Sequence, residues 1–240
     1  MRLIQITDCH LKADPEALYR VGPALAQLDA VLERVEQLHP DVLIVTGDIS
    51  DDGTPASYQF ARARFSRLSC PWFWIPGNHD AGEHMHEMRE ILDYIDLGDW
   101  QLLMLDSQWR GQAGGELGLA QLQQLALQLE EDGRPALIAL HHPPVSVDSA
   151  WMDSIGLSDR DAFWQTLSAY GQVKAIVCGH VHHAYAASAG AVAVYTTPAT
   201  ADQFLPRSDE FALDEASRPG FRVIDIDGER FSTWVERVDI

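Results

Sequence analysis

The chain has little positive charge. Of 240 residues, 17 are Lys or Arg against 36 Asp or Glu, a formal net charge of −19, and only Lys12 and Lys174 are lysines. Such a field repels phosphate backbones, and no cluster of Lys or Arg counters it, so nucleic acid is not an expected partner. An acidic, lysine-poor surface fits ordinary solubility as well as a salt-rich habitat. Cysteine is also scarce: Cys9, Cys70 and Cys178 lie far apart with no CxxC pair. That spacing offers no thiolate zinc site, and Cys70 and Cys178, which border apolar runs, read as buried thiols. No apolar run approaches the length that spans a bilayer, so no membrane partner is expected. The N-terminus has no basic segment followed by an apolar stretch and a small-residue cleavage site, so no secretion signal is read and the cytoplasm is the expected location. Internal repeats, low-complexity tracts and linkers are missing as well, which points to a single domain over residues 1–240.

What is present is an apolar fraction of 46%, enough for a substantial α/β core. Arg2–Thr7 alternates and is β-branched, and reads as a strand ending at Asp8-Cys9-His10. Val21, Leu25, Leu28, Leu32 and Val35 then mark one helical face, stopped near His39-Pro40. The strand Val42–Val45 leads into Thr46-Gly47-Asp48, and two apolar strands joined by a helix imply parallel pairing. A helix follows Thr54-Pro55 with Tyr58, Ala61, Phe65 and Leu68 on one side. The strand Trp72–Ile75 runs into Pro76-Gly77-Asn78-His79-Asp80. Met85, Met88, Leu92 and Ile95 suggest another helix, and Gln101–Leu105 a strand. Leu119, Leu122, Ala126 and Leu129 suggest a helix after the loop Gly111–Gly118. Ala136–Leu140 is a buried strand before His141-His142-Pro143-Pro144, Val145–Leu157 a loop and Asp161–Tyr170 a helix. Ala175–Cys178 is a strand before Gly179-His180-Val181-His182, and Ala191–Thr197, Phe221–Ile226 and Phe231–Val235 complete the β-content. The pattern describes β-sheets flanked by helices.

Five strand ends therefore carry Asp8-x-His10, Gly47-Asp48, Gly77-Asn78-His79-Asp80, His141 and Gly179-His180-x-His182. Each alone has a bland reading. Gly-Asn-His-Asp suits a turn, Gly-Asp is a common bend, and a lone His beside a core strand is usually structural. Repeated after buried strands, they gather where α/β sheets collect functional groups, beyond the strand carboxyl ends. Carboxylates, imidazoles and one neutral amide oxygen, without thiolates, suit two ions such as Mn, Fe or Zn. The single residue inside Asp-x-His and His-x-His lets both side chains project the same way from extended backbone. Glycines beside them allow close approach.

These ordered motifs, from Asp8 to His182, resemble those of the calcineurin-like metallophosphoesterase family. Thr197-Pro-Ala-Thr-Ala-Asp-Gln-Phe204 and Pro219-Gly-Phe-Arg222 look like the C-terminal signature of its class III cyclic-nucleotide phosphodiesterase branch, which also holds glycerophosphodiesterases. The resemblance implies a four-layer α-β-β-α sandwich with two mixed β-sheets flanked by helices. It implies that Asp8, His10, Asp48 and His182 bind one metal, and that Asp48 bridges to a second held by Asn78, His141 and His180. His141 rather than His142 is the implied ligand, because the family's His-x-Pro spacing fits Pro143. His79 resembles the family's catalytic, non-ligating histidine, with Asp80 expected to orient it, and Asn78, His79 and His182 are expected to touch substrate. Branch members often associate, so a homodimer or higher homo-oligomer is also implied.

The chemistry implied is hydrolysis of a small phosphate ester, a 3′,5′-cyclic nucleotide such as cyclic AMP or a glycerophosphodiester. A hydroxide shared by the two metals attacks phosphorus in line, and His79 stabilises or protonates what leaves. A phosphomonoesterase or nucleotide pyrophosphatase would use the same fold. A metal-free interaction module would have eroded ligands, and a structural metal domain would not need the His79-Asp80 pair. Cys9 is expected to point away from its ligand neighbours, although an oxidation-sensitive thiol there is a second reading. His84, His86 and His183 read as solvated or supporting residues, Trp151 as packing or a substrate contact, and Gln203 as a substrate contact. The loops Val145–Leu157 and Ala201–Phe211 are expected to set substrate choice.

Overall fold

Val42–Thr46 and Ala136–Leu140 are buried at every position, as strands covered on both faces must be. In the computed structural model, which describes residues 1–240, each is an interior strand of its own sheet. In chain order the elements are β1 (Arg2–Ile6), β2 (Leu18–Tyr19), β3 (Gly22–Pro23), α1 (Ala24–Gln37), β4 (Val42–Thr46), α2 (Pro55–Phe65), β5 (Trp72–Ile75), α3 (Gly82–Met88), β6 (Tyr94–Asp96) and β7 (Gln101–Met104). They continue with α4 (Gly118–Glu131), β8 (Ala136–Leu140), α5 (Ala150–Asp153), α6 (Arg160–Leu167), β9 (Val173–Cys178), β10 (Tyr185–Ala189), β11 (Val192–Thr196), β12 (Gly220–Asp227) and β13 (Arg230–Arg237). One sheet runs β13-β12-β1-β4-β5 and the other β10-β11-β9-β8-β7-β6, and β2-β3 form a separate small hairpin. β1, β4 and β5 are parallel, as are β7, β8, β9 and β11, while β12 and β13, β10, and β6 join antiparallel. Both sheets are therefore mixed.

Three apolar layers hold four structural ones. Leu28, Val31 and Val35 of α1, with Tyr58 and Phe65 of α2, cover one face of the first sheet through Ile4, Ile6, Leu43, Val45 and Trp74. Leu3, Ile44 and Ile75 meet Leu102, Leu137 and Val177 between the sheets. The outer face of the second sheet, including Leu103, Ile138 and Ile176, is covered by Leu122, Leu125 and Leu129 of α4 and Phe163 and Leu167 of α6. At 25 cal/mol per Å², such side chains each contribute about 1.5–3 kcal/mol on burial, which is why helices are recruited to both outer faces. One polar seam crosses between the sheets. The Gln5 amide donates to Thr46 Oγ1 (2.8 Å) and to the Cys178 carbonyl (3.1 Å), and accepts from Thr197. The buried Arg222 guanidinium donates to the Thr196 carbonyl (2.8 Å) and Thr197 Oγ1 (3.2 Å), and burial lowers its pKa to about 10.

The main departures from the sequence pattern are at element ends. The expected helix through Leu92 and Ile95 stops at Met88, because Arg89 is extended (φ −164°) with its guanidinium carbon 4.1 Å from the Trp72 ring; Ile95 lies instead in β6. α4 is rotated from the expected face, burying Leu125 rather than Leu119, which is 71% exposed. Val21 belongs to the β2–β3 turn, not to α1. The pattern of short polar strands hid β10, and Val145–Leu157 contains the single turn α5.

Candidate metal centre

The carboxyl ends of β1, β4 and β5 in one sheet and of β8 and β9 in the other open onto a common crevice. β1 delivers Asp8 and His10, β4 delivers Asp48, β5 delivers Asn78 and His79, β8 delivers His141, and β9 delivers His180 and His182. Apart from Asn78 and His79, all of these side chains are almost fully buried. The close approach depends on the flanking glycines. Gly47 has φ +94°, and a Cβ on Gly77 would overlap the Asp48 backbone and carboxylate.

The ligand-type atoms fall into two groups that share one residue. In the first, His182 Nε2 lies 3.3 Å from Asp8 Oδ1 and 3.1 Å from His10 Nε2. In the second, Asn78 Oδ1 lies 3.2 Å from His141 Nε2 and 3.0 Å from His180 Nδ1. Asp48 Oδ2 stands between them, 3.8 Å from His10 Nε2 and 3.4 Å from His141 Nε2. The supporting contacts leave these atoms free to ligate. His141 Nδ1 is bonded to the Thr46 carbonyl (2.7 Å) and His182 Nδ1 to the Asp202 carbonyl (2.9 Å). With Nδ1 engaged in this way, each ring, once neutral, turns an Nε2 lone pair inward. Facing imidazole nitrogens among buried carboxylates have a common chemical remedy, a cation, and oxygen and nitrogen donors without sulfur suit a borderline metal. The donor set therefore fits a dimetal site.

Charge is distributed accordingly. Burial works against a proton on His141 and His182. Even so, Asp48 raises His141 to about 9, and Asp8 with Asp202 raises His182 to about 10. Burial lowers His10, and it lowers His180 to about 3, with His141⁺ assisting in the latter case. For Asp8 and Asp48 burial favours the neutral acid, but the surrounding imidazoles prevail and both carboxyls lie below the usual range.

His142 is placed differently from its neighbour. Its Nδ1 meets Ser107 Oγ (2.8 Å) and its Nε2 the Ala113 carbonyl (3.2 Å), so both nitrogens are committed to a loop. His84 turns to the Gly53 carbonyl (2.9 Å) and His183 is buried with burial lowering it to about 4. Cys9 does point away, into the apolar layer under α1, where burial raises its thiol to about 12. A neutral buried thiol has no thiolate for peroxide to attack, which removes the basis for oxidation sensitivity at this position. Gln203 packs internally, bonded to the Ala199 carbonyl and to Arg237, whereas Trp151 lines the crevice.

The pairing expected between His79 and Asp80 is corrected. Asp80 accepts from the backbone N–H groups of Gly77, Ile49 and Ser50 (2.9–3.2 Å) and from the Tyr58 hydroxyl (3.1 Å). It ties the β5 loop to the β4 loop and does not touch His79, because the β5 loop turns the two side chains apart: Asp80 is buried and His79 exposed. The residue beside His79 is Asp51, whose Oδ1 lies 3.4 Å from His79 Nδ1 and 3.6 Å from His10 Nδ1. Asp51 raises the His79 pKa, and the two imidazoles hold Asp51 below the carboxylate range against burial. Asp202, 3.4 Å from His182 Nδ1 and 3.0 Å from Arg20, is the other acid not singled out by sequence. Its place in the Thr197–Phe204 signature was the available signal. For Asp51, lying three residues after a ligand is a weak one.

The family model for calcineurin-like phosphoesterases matches residues 1–184. The chain is 40% identical over 249 residues to a protein of Vibrio vulnificus named 3′,5′-cyclic adenosine monophosphate phosphodiesterase CpdA, covering 99% of this chain and 90% of that one. It is 35% identical to the protein of the same name from Pseudomonas aeruginosa, with the same coverage. Among solved structures, a dimetal phosphatase from Danio rerio superposes with a TM-score of 0.70 at 13% identity over 99% of both chains, a likeness of fold.

Proposed function

Because the chain belongs to the calcineurin-like phosphoesterase family, we propose that it is a dimetal phosphodiesterase acting on a small diester, a 3′,5′-cyclic nucleotide ahead of a glycerophosphodiester. The observation that carries the reaction class is Asp48, one carboxylate standing between two separate sets of nitrogen and oxygen donors. The printed names of the relatives support the cyclic-nucleotide preference. On this reading Asp8, His10, Asp48 and His182 hold one ion, and Asp48, Asn78, His141 and His180 the other, with Mn, Fe or Zn suited to the donors. Bound ions there supply positive charge to the phosphate oxygens and lower the pKa of water.

The chain's own residues then do the following. His79, with Nδ1 held by Asp51, keeps Nε2 as the proton-bearing atom for the leaving ester oxygen. Its pKa, raised by Asp51, favours the protonated ring. Asn78 directs Oδ1 to the two rings, which leaves its amide N–H₂ as a donor to substrate. A cytoplasmic location and self-association extend the same resemblance.

The test is hydrolysis by metal-stripped protein with Mn²⁺ restored, on bis(p-nitrophenyl) phosphate, p-nitrophenyl phosphate, 3′,5′-cyclic AMP and glycerophosphocholine. Metal-dependent diester turnover, lost in Asp48→Ala and weakened at least a hundredfold in His79→Ala, is the expected result. Faster turnover of the monoester than of every diester would overturn the diesterase reading, and no turnover despite stoichiometric metal binding would overturn the enzyme reading.

A further inference from the structure

The wall of the crevice above the ligand groups is aromatic. Trp151 from α5 and Phe204 and Phe211 from the segment after β11 pack edge to face, with ring centroids 5.3–5.4 Å apart. Phe204 is committed to the metal centre, lying flat on the His182 ring at 3.9 Å, as Tyr19 lies flat on His10 at 4.2 Å. Phe211 is not committed in this way. It is 51% exposed and lines the same 140 Å³ cavity as His10, His79 and His180.

Three clustered rings at the mouth of a phosphoesterase site suit two kinds of substrate headgroup. A planar heteroaromatic base would stack on them, and a quaternary ammonium such as choline would be held by their faces. With a net charge of −19 the molecule as a whole favours the cation. Arg20 reverses that preference locally. Its guanidinium carbon lies 5.3 Å from the Phe204 ring, 5.2 Å from Phe211 and 4.5 Å from Tyr19, and it is the only Lys or Arg lining the cavity. Phe204 and Phe211 thus already carry a cation on one face. Arg20 is also fixed there: its Nη1 bonds Asp202 (3.0 Å), a carboxylate with a fully buried side chain that would be left poorly paired if the guanidinium moved away. The β2–β3 turn holds the Arg20 backbone at φ +41°, a left-handed conformation that aims this side chain from a two-residue loop.

We propose that Phe211, Trp151 and Arg20 form the subsite for the aromatic base of a nucleotide diester, and that Arg20 excludes a choline headgroup from it. The base stacks on the exposed Phe211 ring, and the Arg20 N–H groups not bonded to Asp202 donate to acceptor atoms on the base edge. This inference rests on the phosphodiesterase reading for its place in the reaction, but base recognition itself is separable from turnover.

Binding is therefore measured first, by calorimetry on the full chain, comparing AMP with ribose 5-phosphate, which carries the same phosphoryl sugar without the base. AMP is expected to bind about tenfold more tightly, and Phe211→Ala to bring the two within about twofold of each other. Near-UV circular dichroism checks that the variant keeps its packing. Equal affinity of AMP and ribose 5-phosphate in the unmodified protein would overturn the subsite whether or not any diester is hydrolysed. With the Mn²⁺-loaded protein, the ratio of kcat/KM for cyclic AMP to that for glycerophosphocholine is expected to fall about tenfold in Phe211→Ala and further in Arg20→Gln, mainly through KM. A merely structural role would move both substrates alike, and that outcome would overturn the assignment. Failure of the unmodified protein to hydrolyse any diester, with AMP still preferred over ribose 5-phosphate, would reject the reaction class and keep the base site.

Discussion

Asp8, His10, Asp48, His180 and His182 all hold left-handed backbone, with φ between +48° and +71°. For non-glycine residues this conformation costs about 1 kcal/mol or more apiece, and here it falls on the residues that converge on the crevice. With Cys9 and Val181 between them packed into apolar clusters, it turns these side chains into the crevice. Their charge state yields a first prediction. His141 and His182, raised to about 9 and about 10, carry protons at pH 7, whereas a ligating imidazole must be neutral. Metal loading at pH 7 should release about two protons per chain, and apparent affinity should rise with pH until those values are passed. Calorimetry in buffers of different ionisation enthalpy measures the release; no net proton release would refute it. A second prediction separates the two acids near His79. Because Asp51 holds His79 up, Asp51→Asn should move the alkaline limb of kcat to lower pH. Metal content is to be assayed in parallel, since Asp51 also meets His10. Asp80→Asn should leave that limb in place and instead cost about 1–3 kcal/mol of stability, through the loop N–H groups it serves.

At the scale of elements, the site is a meeting of loops fastened to each other. The loop after β4 binds that after β1 through His10 N to the Asp48 carbonyl (2.9 Å), and the loop after β5 binds Asp48 through His79 N (2.9 Å). Asp8 in turn accepts from His180 N (3.0 Å), joining the two sheets. Gly77 makes this possible because Asp48 occupies the space where a side chain would begin. Gly77→Ala should therefore push the β5 loop off the β4 loop, costing about 1–3 kcal/mol and weakening metal binding at the group around Asn78 more than at that around His10. Denaturant titration together with metal stoichiometry reads both effects; an alanine variant with unchanged stability and two bound metals would contradict this packing. The elements themselves were largely legible in the sequence, because apolar runs ending in polar motifs identify buried parallel strands. The helix through Ile95 was not, since Met85, Met88, Leu92 and Ile95 keep helical spacing while the contact of Arg89 with Trp72 extends the chain between them. The exposed Leu119 likewise has the right spacing for α4, but the sheet surface selects the face that buries Leu125.

Over the whole molecule, two sheets of mixed direction present one shared edge to solvent, and the acidic groups there lie in a protein of −19 net charge. Cations bound at that edge would offset repulsion among Asp8, Asp48 and the remaining acids while linking both sheets. Chelation should lower the melting temperature by several degrees, Mn²⁺ should restore it, and added NaCl should recover part of the loss by screening. Differential scanning calorimetry tests this, and an unchanged melting temperature with the metal removed would argue that the crevice is held by protein contacts alone. No helix is long and apolar enough to cross a membrane.

The sequence by itself determined the main strand-helix order, apart from β2, β3, β6, β10 and α5, the two mixed sheets through family resemblance, and the residue types crowded at the strand ends. Those follow from local periodicity and from motifs whose chemistry is carried by a few adjacent positions. Tertiary structure alone decided which acid stands beside His79, because Asp51 and Asp80 differ only in the direction their loops turn them. It also decided that Arg20, from a two-residue hairpin turn, lies against Phe204 and Phe211 some 180 residues later in the chain. Contacts between distant segments depend on how the layers pack, and no spacing within one segment records them.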